Sequence, residues 1–210
     1  MMMLRAGKSV FKFKIVRHRA DSYGEDLLFM NLEKEFIESS IRRMKYYKEL
    51  GEKTFEQLND DDFHFQPGSE SNSIAVMIQH LAGNMLSRFT NFLTEDGEKN
   101  WRNRDDEFEI HTYSKQQLIE LWNKGWKCFF DTIQALNEND LMKQVSIRNE
   151  KLSVVDAIIR QLAHYPYHIG QIIYAGRMLK KENWKNLSIP KGTSDAYNQS
   201  TGIKDPAKKF

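Results

Sequence analysis

Ile158-Ile159-Arg160-Gln161-Leu162-Ala163-His164-Tyr165-Pro166-Tyr167-His168-Ile169-Gly170-Gln171-Ile172-Ile173 sets the fold class. Its apolar residues Ile158, Leu162, Tyr165, Ile169 and Ile173, with Leu179 beyond, recur mostly at three- and four-residue steps, which is the period of a helix. Gln161, His164, His168 and Gln171 form a polar column between two apolar ones. Such a column needs partners, because polar groups buried without them are costly. Residues four apart on a helix share a face with Cβ atoms about 5 to 6 Å apart, so His164 and His168 can reach one ion without bending the backbone.

The first candidate partner is His80, in Ser73-Ile74-Ala75-Val76-Met77-Ile78-Gln79-His80-Leu81-Ala82-Gly83-Asn84-Met85-Leu86-Ser87-Arg88-Phe89. Here Ile74, Ile78, Leu81, Met85, Phe89 and Phe92 trace a second helical stripe, with His80, Asn84 and Ser87 along its edge. The two polar columns can face each other. With six histidines in 210 residues, chance gives about 0.17 pairs at spacing four, so the pair alone is a weak signal, and satisfied or exposed histidines are the ordinary alternative. The pair also lacks the glutamate of H-E-x-x-H, which argues against a zincin-type protease helix. His80 is what raises it above a coincidence.

A chain of 210 residues with 40% hydrophobic and 29% charged residues fits one globular domain with appendages. No window approaches 18 uninterrupted apolar residues, so no membrane span is expected. The single cysteine, Cys128, excludes an internal disulfide, suits a reducing compartment such as the cytoplasm, and sits in a helical apolar run as a core filler. Residues 1–29 hold six basic side chains against three acidic ones, so the other 181 residues net −1. A nucleic-acid binder carries its positive charge on the folded body, so none is expected as a partner.

The basic leader 1–29 reads as an extension outside the core, since a helical pattern begins at Met30. Two other readings stay open. Phe11-Lys12-Phe13-Lys14-Ile15 alternates like a short strand or an interfacial segment, and the early scarcity of acids resembles an organelle-targeting peptide. A long apolar h-region is missing, which disfavours secretion.

Beyond the leader the pattern predicts an all-α domain of four long helices, at about 31–51, 73–94, 114–136 and 153–181. Gly51 is the expected stop of the first. Ser114 with Gln117 makes a capping box for the third. Asp60-Asp61-Asp62 lacks EF-hand spacing and reads as a solvated acidic turn. A long connection, 95–112, carries Trp101, Arg102 and Arg104, and connections of that length are often functional. Val145-Ser146-Ile147-Arg148 suggests a hairpin arm, Pro166 predicts a kink, and residues 196–210 read as a flexible tail.

Residues 78–99 (I-Q-H-L-A-G-N-M-L-S-R-F-T-N-F-L-T-E-D-G-E-K), 101–105 (W-R-N-R-D) and 187–192 (L-S-I-P-K-G) together resemble a branch of the DinB-like superfamily of metal-binding four-helix proteins. The resemblance spans roughly residues 30–195, and the three motifs together are far more specific than the histidine pair. Proline is usual in that branch where Asn100 stands here, a difference that concerns loop stiffness. The resemblance implies an up-down-down-up four-helix bundle with a long crossover between helices two and three. It also implies a homodimer, and one divalent metal held by His80, His164 and His168 with water in the open positions. Characterised relatives include transferases that join a low-molecular-weight thiol to an electrophile, but the branch leaves the chemistry open.

The first functional expectation is therefore a metal-dependent S-transferase acting on a small-molecule ligand. Zn²⁺, Ni²⁺ and Fe²⁺ all suit three imidazoles, while an oxygen-rich calcium site does not fit. A coordinated thiol would be deprotonated near neutral pH. Arg102 and Arg104 are the expected clamp for a cofactor carboxylate, against the alternative of solvated loop arginines, and Asn84 or Gln171 would orient water or a ring. Cys128 is not the expected nucleophile. The rival classes are a metal-dependent hydrolase, which needs a proton shuttle the sequence does not identify, and a non-catalytic, stress-related binder of metal or small ligand.

Overall fold

Helical periodicity in the sequence becomes four long helices in the computed structural model, which describes residues 31–210. The basic leader 1–29 lies outside the described residues. The long helices are α1 (Leu32–Phe55), α3 (Ile74–Phe89), α4 (Lys115–Ala135) and α5 (Val154–Lys180), with a five-residue α2 (Asp60–His64) and a short α6 (Ser194–Gln199). α3 packs on α4 and α1 on α5, and lesser contacts join α1 to α4 and α3 to α5. The chain is thus mostly helical, and its described residues include one antiparallel hairpin, β1 (Gln144–Ile147) with β2 (Glu150–Ser153). Among the described residues no helix is long and apolar enough to cross a membrane.

The helix starts follow the side chains that can satisfy free backbone N–H groups. Ser73 accepts from Val76 N at the start of α3, and Ser153 from Asp156 N at the start of α5. Ser114 and Gln117 close the expected capping box on α4. The acidic run Asp60-Asp61-Asp62 is not a loose turn: it forms the first turn of α2, where carboxylates favour the helix dipole, and Asp62 caps back to Asn59 N at 2.8 Å. Asp62 also receives Lys180 Nζ from the end of α5 at 2.5 Å.

Two helix ends differ from the sequence expectation. α1 runs four residues past Gly51 because that glycine serves packing: a Cβ there would lie 2.7 Å from Cζ2 of the buried Trp122 on α4. α3 ends at Phe89, well before Gly97, with Thr90 in an extended conformation as its C-cap. α5 continues through Pro166 without a break. Residues 196–210, expected as a flexible tail, include a 3-10 turn at Pro206–Lys209, and the Arg43 fork holds Asp205 through two 2.6 Å hydrogen bonds. Composition gave no sign of these contacts to α1.

The core is an aromatic ladder between the helices. Phe55 meets Trp122 edge-on at 5.1 Å, Trp122 meets Trp126, and Trp126 and Phe129 both meet Tyr165 of α5. The long connection 90–114 is tied down against α3 and the hairpin. Ser87 Oγ donates to Gly97 O at 2.6 Å, and the buried Arg88 holds Gly97 O and Glu98. The hairpin turn places Arg148 and Asn149 at φ 57° and 64°, as a two-residue type I′ turn requires. Both of their backbone N–H groups donate to Asp96 at 2.8 Å, as does Ser146 Oγ. Burial alone would raise the Asp96 carboxyl, but these hydrogen bonds hold it well below the usual carboxylate range. Asp96 thereby fastens the hairpin to the connection and brings Arg148 to the same end of the molecule as His80.

Candidate metal centre

α3 is buried nearly all round, so a histidine at its middle is largely withdrawn from water and needs a partner. His80 is 5% exposed. Its helix is set against α5 by Tyr165, fully buried, whose hydroxyl donates to Asn84 Oδ1 at 3.1 Å. Asn84 lies one turn after His80 and Tyr165 lies next to His164, so that hydrogen bond fixes the register in which the two polar columns meet.

The three expected histidines do come together. His164 Nε2 lies 3.3 Å from His80 Nε2 and 3.1 Å from His168 Nε2, and the three ligand nitrogens all fall within 4.8 Å of one another. The opposite edge of every ring faces an oxygen: His80 Nδ1 is 3.0 Å from Glu107 Oε2, His168 Nδ1 2.9 Å from Gln171 Oε1, and His164 Nδ1 3.4 Å from Gln161 Oε1. A neutral imidazole has one N–H, and a carboxylate or amide oxygen only accepts, so each proton belongs on Nδ1. Three bare Nε2 lone pairs then point at one another, a repulsive arrangement that a cation at their centre relieves. Two nitrogens bound to one tetrahedral ion at 2.0–2.1 Å are separated by roughly 3.4 Å, close to the two spacings that His164 makes, while His80 and His168 lie within 4.8 Å of each other. The donor set therefore fits a transition metal.

Glu107, which the sequence reading did not single out, supports the whole arrangement. It stands in a 3-10 turn (Asp106–Phe108) packed on α3, with its side chain 9% exposed. Arg102 grips it with Nε–Oε1 at 2.7 Å and Nη2–Oε2 at 2.9 Å, and Arg102 itself is only 2% exposed. Burial pushes the Glu107 carboxyl up, but hydrogen bonds from His80 and Arg102 outweigh that and keep it below its ordinary value. Glu107 approaches because residue 83 is glycine: a Cβ there would sit 2.1 Å from Oε1. A glycine inside a helix costs about 1 kcal/mol relative to alanine, and that cost was the available signal of a close approach.

The structure divides the two expected clamp arginines. The Arg102 fork is spent on Glu107, whereas Arg104 is exposed with its guanidinium 5.0 Å over the Phe108 ring, which in turn lies 4.9 Å from the His80 ring. The histidines open onto a cavity of about 450 Å³ whose wall also carries Arg88, Arg102, Arg104, Arg148 and Arg160. Asn84 lines it as well, but its Oδ1 is engaged by Tyr165, and Gln171 holds the His168 ring. Cys128 is half-buried against the core, outside the cavity wall, and burial raises its thiol pKa. The other described histidines bond elsewhere, His64 to Tyr113 O and His111 to Asp106 O.

Burial first, then the charges of His168 and His80, drive His164 down to about 3. His168 is lowered too, by burial and then by His80, against the hydrogen bond it donates to Gln171. Rings held neutral in the folded state gain a proton more readily when unfolded, so the unfolded chain binds more protons between about pH 6.5 and about pH 3. Chelator-treated protein should therefore be most stable above that window and lose stability as the pH falls through it. Urea unfolding across this range should show a smaller acid loss in His164→Asn than in the wild type. A second expectation concerns Gly83→Ala. Displacing Glu107 strands the buried Arg102 charge, so the variant should lose about 3–5 kcal/mol in urea unfolding despite the gain in helix propensity.

A family model described as "Protein of unknown function (DUF1572)" matches residues 31–193. None of the curated proteins and none of the solved structures compared matches the chain.

Proposed function

We propose that this chain, which belongs to the DUF1572 family, binds one divalent transition metal through His80, His164 and His168 and uses it to join a low-molecular-weight thiol, through its sulfur, to an electrophile. The observation that carries the reading is the convergence of three Nε2 atoms whose Nδ1 partners are all oxygens. The motif resemblance to the DinB-like superfamily supports it, together with that superfamily's up-down-down-up four-helix bundle and homodimeric assembly. A zinc, nickel or iron ion bound there would acidify a thiol or water in an open position.

The chain's own residues have definable parts in this reading. Glu107 accepts the His80 proton, sets the ring's tautomer and strengthens Nε2 as a donor, with Arg102 fixing the carboxylate. Gln171 and Gln161 do the same for His168 and His164. Phe108 walls one side of His80 and reduces water access. Hydrolysis is the less supported chemistry: among the described residues no carboxylate lines the cavity, and Glu107 is already committed on both oxygens. S-transfer needs no such proton shuttle once a thiolate is formed.

Elemental analysis of untagged full-length protein should find about one equivalent of a transition metal, with little left in His164→Ala, as loss of one of three ligands predicts. Glu107→Gln should keep the site but bind the ion about 10–100-fold more weakly. Failure to take up zinc, nickel or iron would overturn the reading. With metal bound, turnover of an electrophile that depends on added thiol supports S-transfer, and turnover without thiol points to hydrolysis.

A further inference from the structure

The wall of the cavity beside the histidines has far more positive charge than the carboxylates paired with it balance. Five guanidinium groups line it, from Arg88, Arg102, Arg104, Arg148 and Arg160. Two carboxylates answer them: Glu98 Oε2 takes both Arg88 Nη1, at 3.1 Å, and Arg148 Nε, at 2.9 Å, while Glu107 takes Arg102. That leaves three positive charges uncompensated at one spot, although residues 30–210 together net −1. Arg104 and Arg160 are exposed and have no carboxylate partner among the described residues. Arg102, almost wholly buried, keeps Nη1 without a hydrogen-bond acceptor, 3.9 Å from the nearest Glu98 oxygen.

Gathering like charges in a partly enclosed space is unfavourable unless something of opposite charge shares it. Guanidinium forks match the oxygens of phosphate and carboxylate groups, and several around one space favour a ligand with more than one negative charge. We infer that the five-arginine wall is a binding site for a small dianionic group, a phosphate monoester or a paired carboxylate, whose carrier reaches the three histidines with its other end. This deepens the proposed function and rests on that cavity being the ligand site. Arg104 and Arg160 supply the free forks, and Arg148 is placed by the Asp96-pinned hairpin turn. Arg102 holds Glu107 and adds its charge from behind.

The test is calorimetric titration of chelator-treated full-length protein with inorganic phosphate, succinate and, as a monoanionic control, acetate. Saturable binding of phosphate or succinate at one site is expected, with acetate weaker by about tenfold or more. Phosphate alone assigns a phosphorylated ligand, and succinate alone a dicarboxylate. Arg104→Gln/Arg160→Gln should weaken binding by about tenfold or more with an unchanged urea midpoint, since both side chains are exposed. His168→Ala should retain anion binding, which separates this site from the metal. Absence of saturable binding to either dianion, or binding undiminished in the double arginine variant, would overturn the inference even where metal is bound. Anion binding by a protein that takes up no metal would sustain it while the metal reading fails.

Discussion

Three imidazoles cannot turn their bare nitrogens towards one another without a reason, and much of the molecule is arranged so that these three do. Each ring faces an oxygen acceptor from behind, and two of those acceptors are held in turn, Gln161 by burial and Glu107 by Arg102. Tyr165 is central, because it belongs to the aromatic core and also donates to Asn84, tying the position of His164 to that of His80. A shift of α5 along α3 would therefore break the core and the histidine cluster together. The histidine cluster and the core are coupled here through one buried side chain.

The connection between α3 and α4 works as a strut. Two of its buried charges, Arg102 and Glu107, would be expensive alone and are tolerable because they satisfy each other and His80. Ser87, Arg88 and Asp96 anchor the segment before it, so Glu107 approaches Gly83 from a fixed base. Such a strut orders the His80 ring by itself, and preorganisation of that kind would raise affinity for an ion by lowering the cost of ordering. The same connection carries Arg104, and Asp96 ties the hairpin with Arg148 to it, so one segment shapes both the histidine face and the arginine face of the cavity.

The helices were legible because burial imposes a period on sequence, and α4 and α5 begin where Ser114 and Ser153 suggested. His80, His164 and His168 were legible because a polar column between apolar columns is visible without coordinates. Gly51 misled for a physical reason: the same residue type serves as a helix stop and as room for a neighbour's ring, and only the position of Trp122 tells them apart. Glu107 was hidden because its partners, Arg102, His80 and Gly83, meet through a loop path that no periodicity encodes. Arg148 was missed for the same reason, since it comes from a hairpin turn, whereas Arg160 stands one helical turn before His164 and the same period places it beside the histidines.

The imidazole tautomers are the most direct probe of this arrangement. Long-range ¹⁵N–¹H correlation on chelator-treated protein near neutral pH should show a proton on Nδ1 and none on Nε2 in His80, His164 and His168. A proton on Nε2 of any of the three would mean that the rings simply hydrogen-bond to one another, and the cluster would then have no need of a metal.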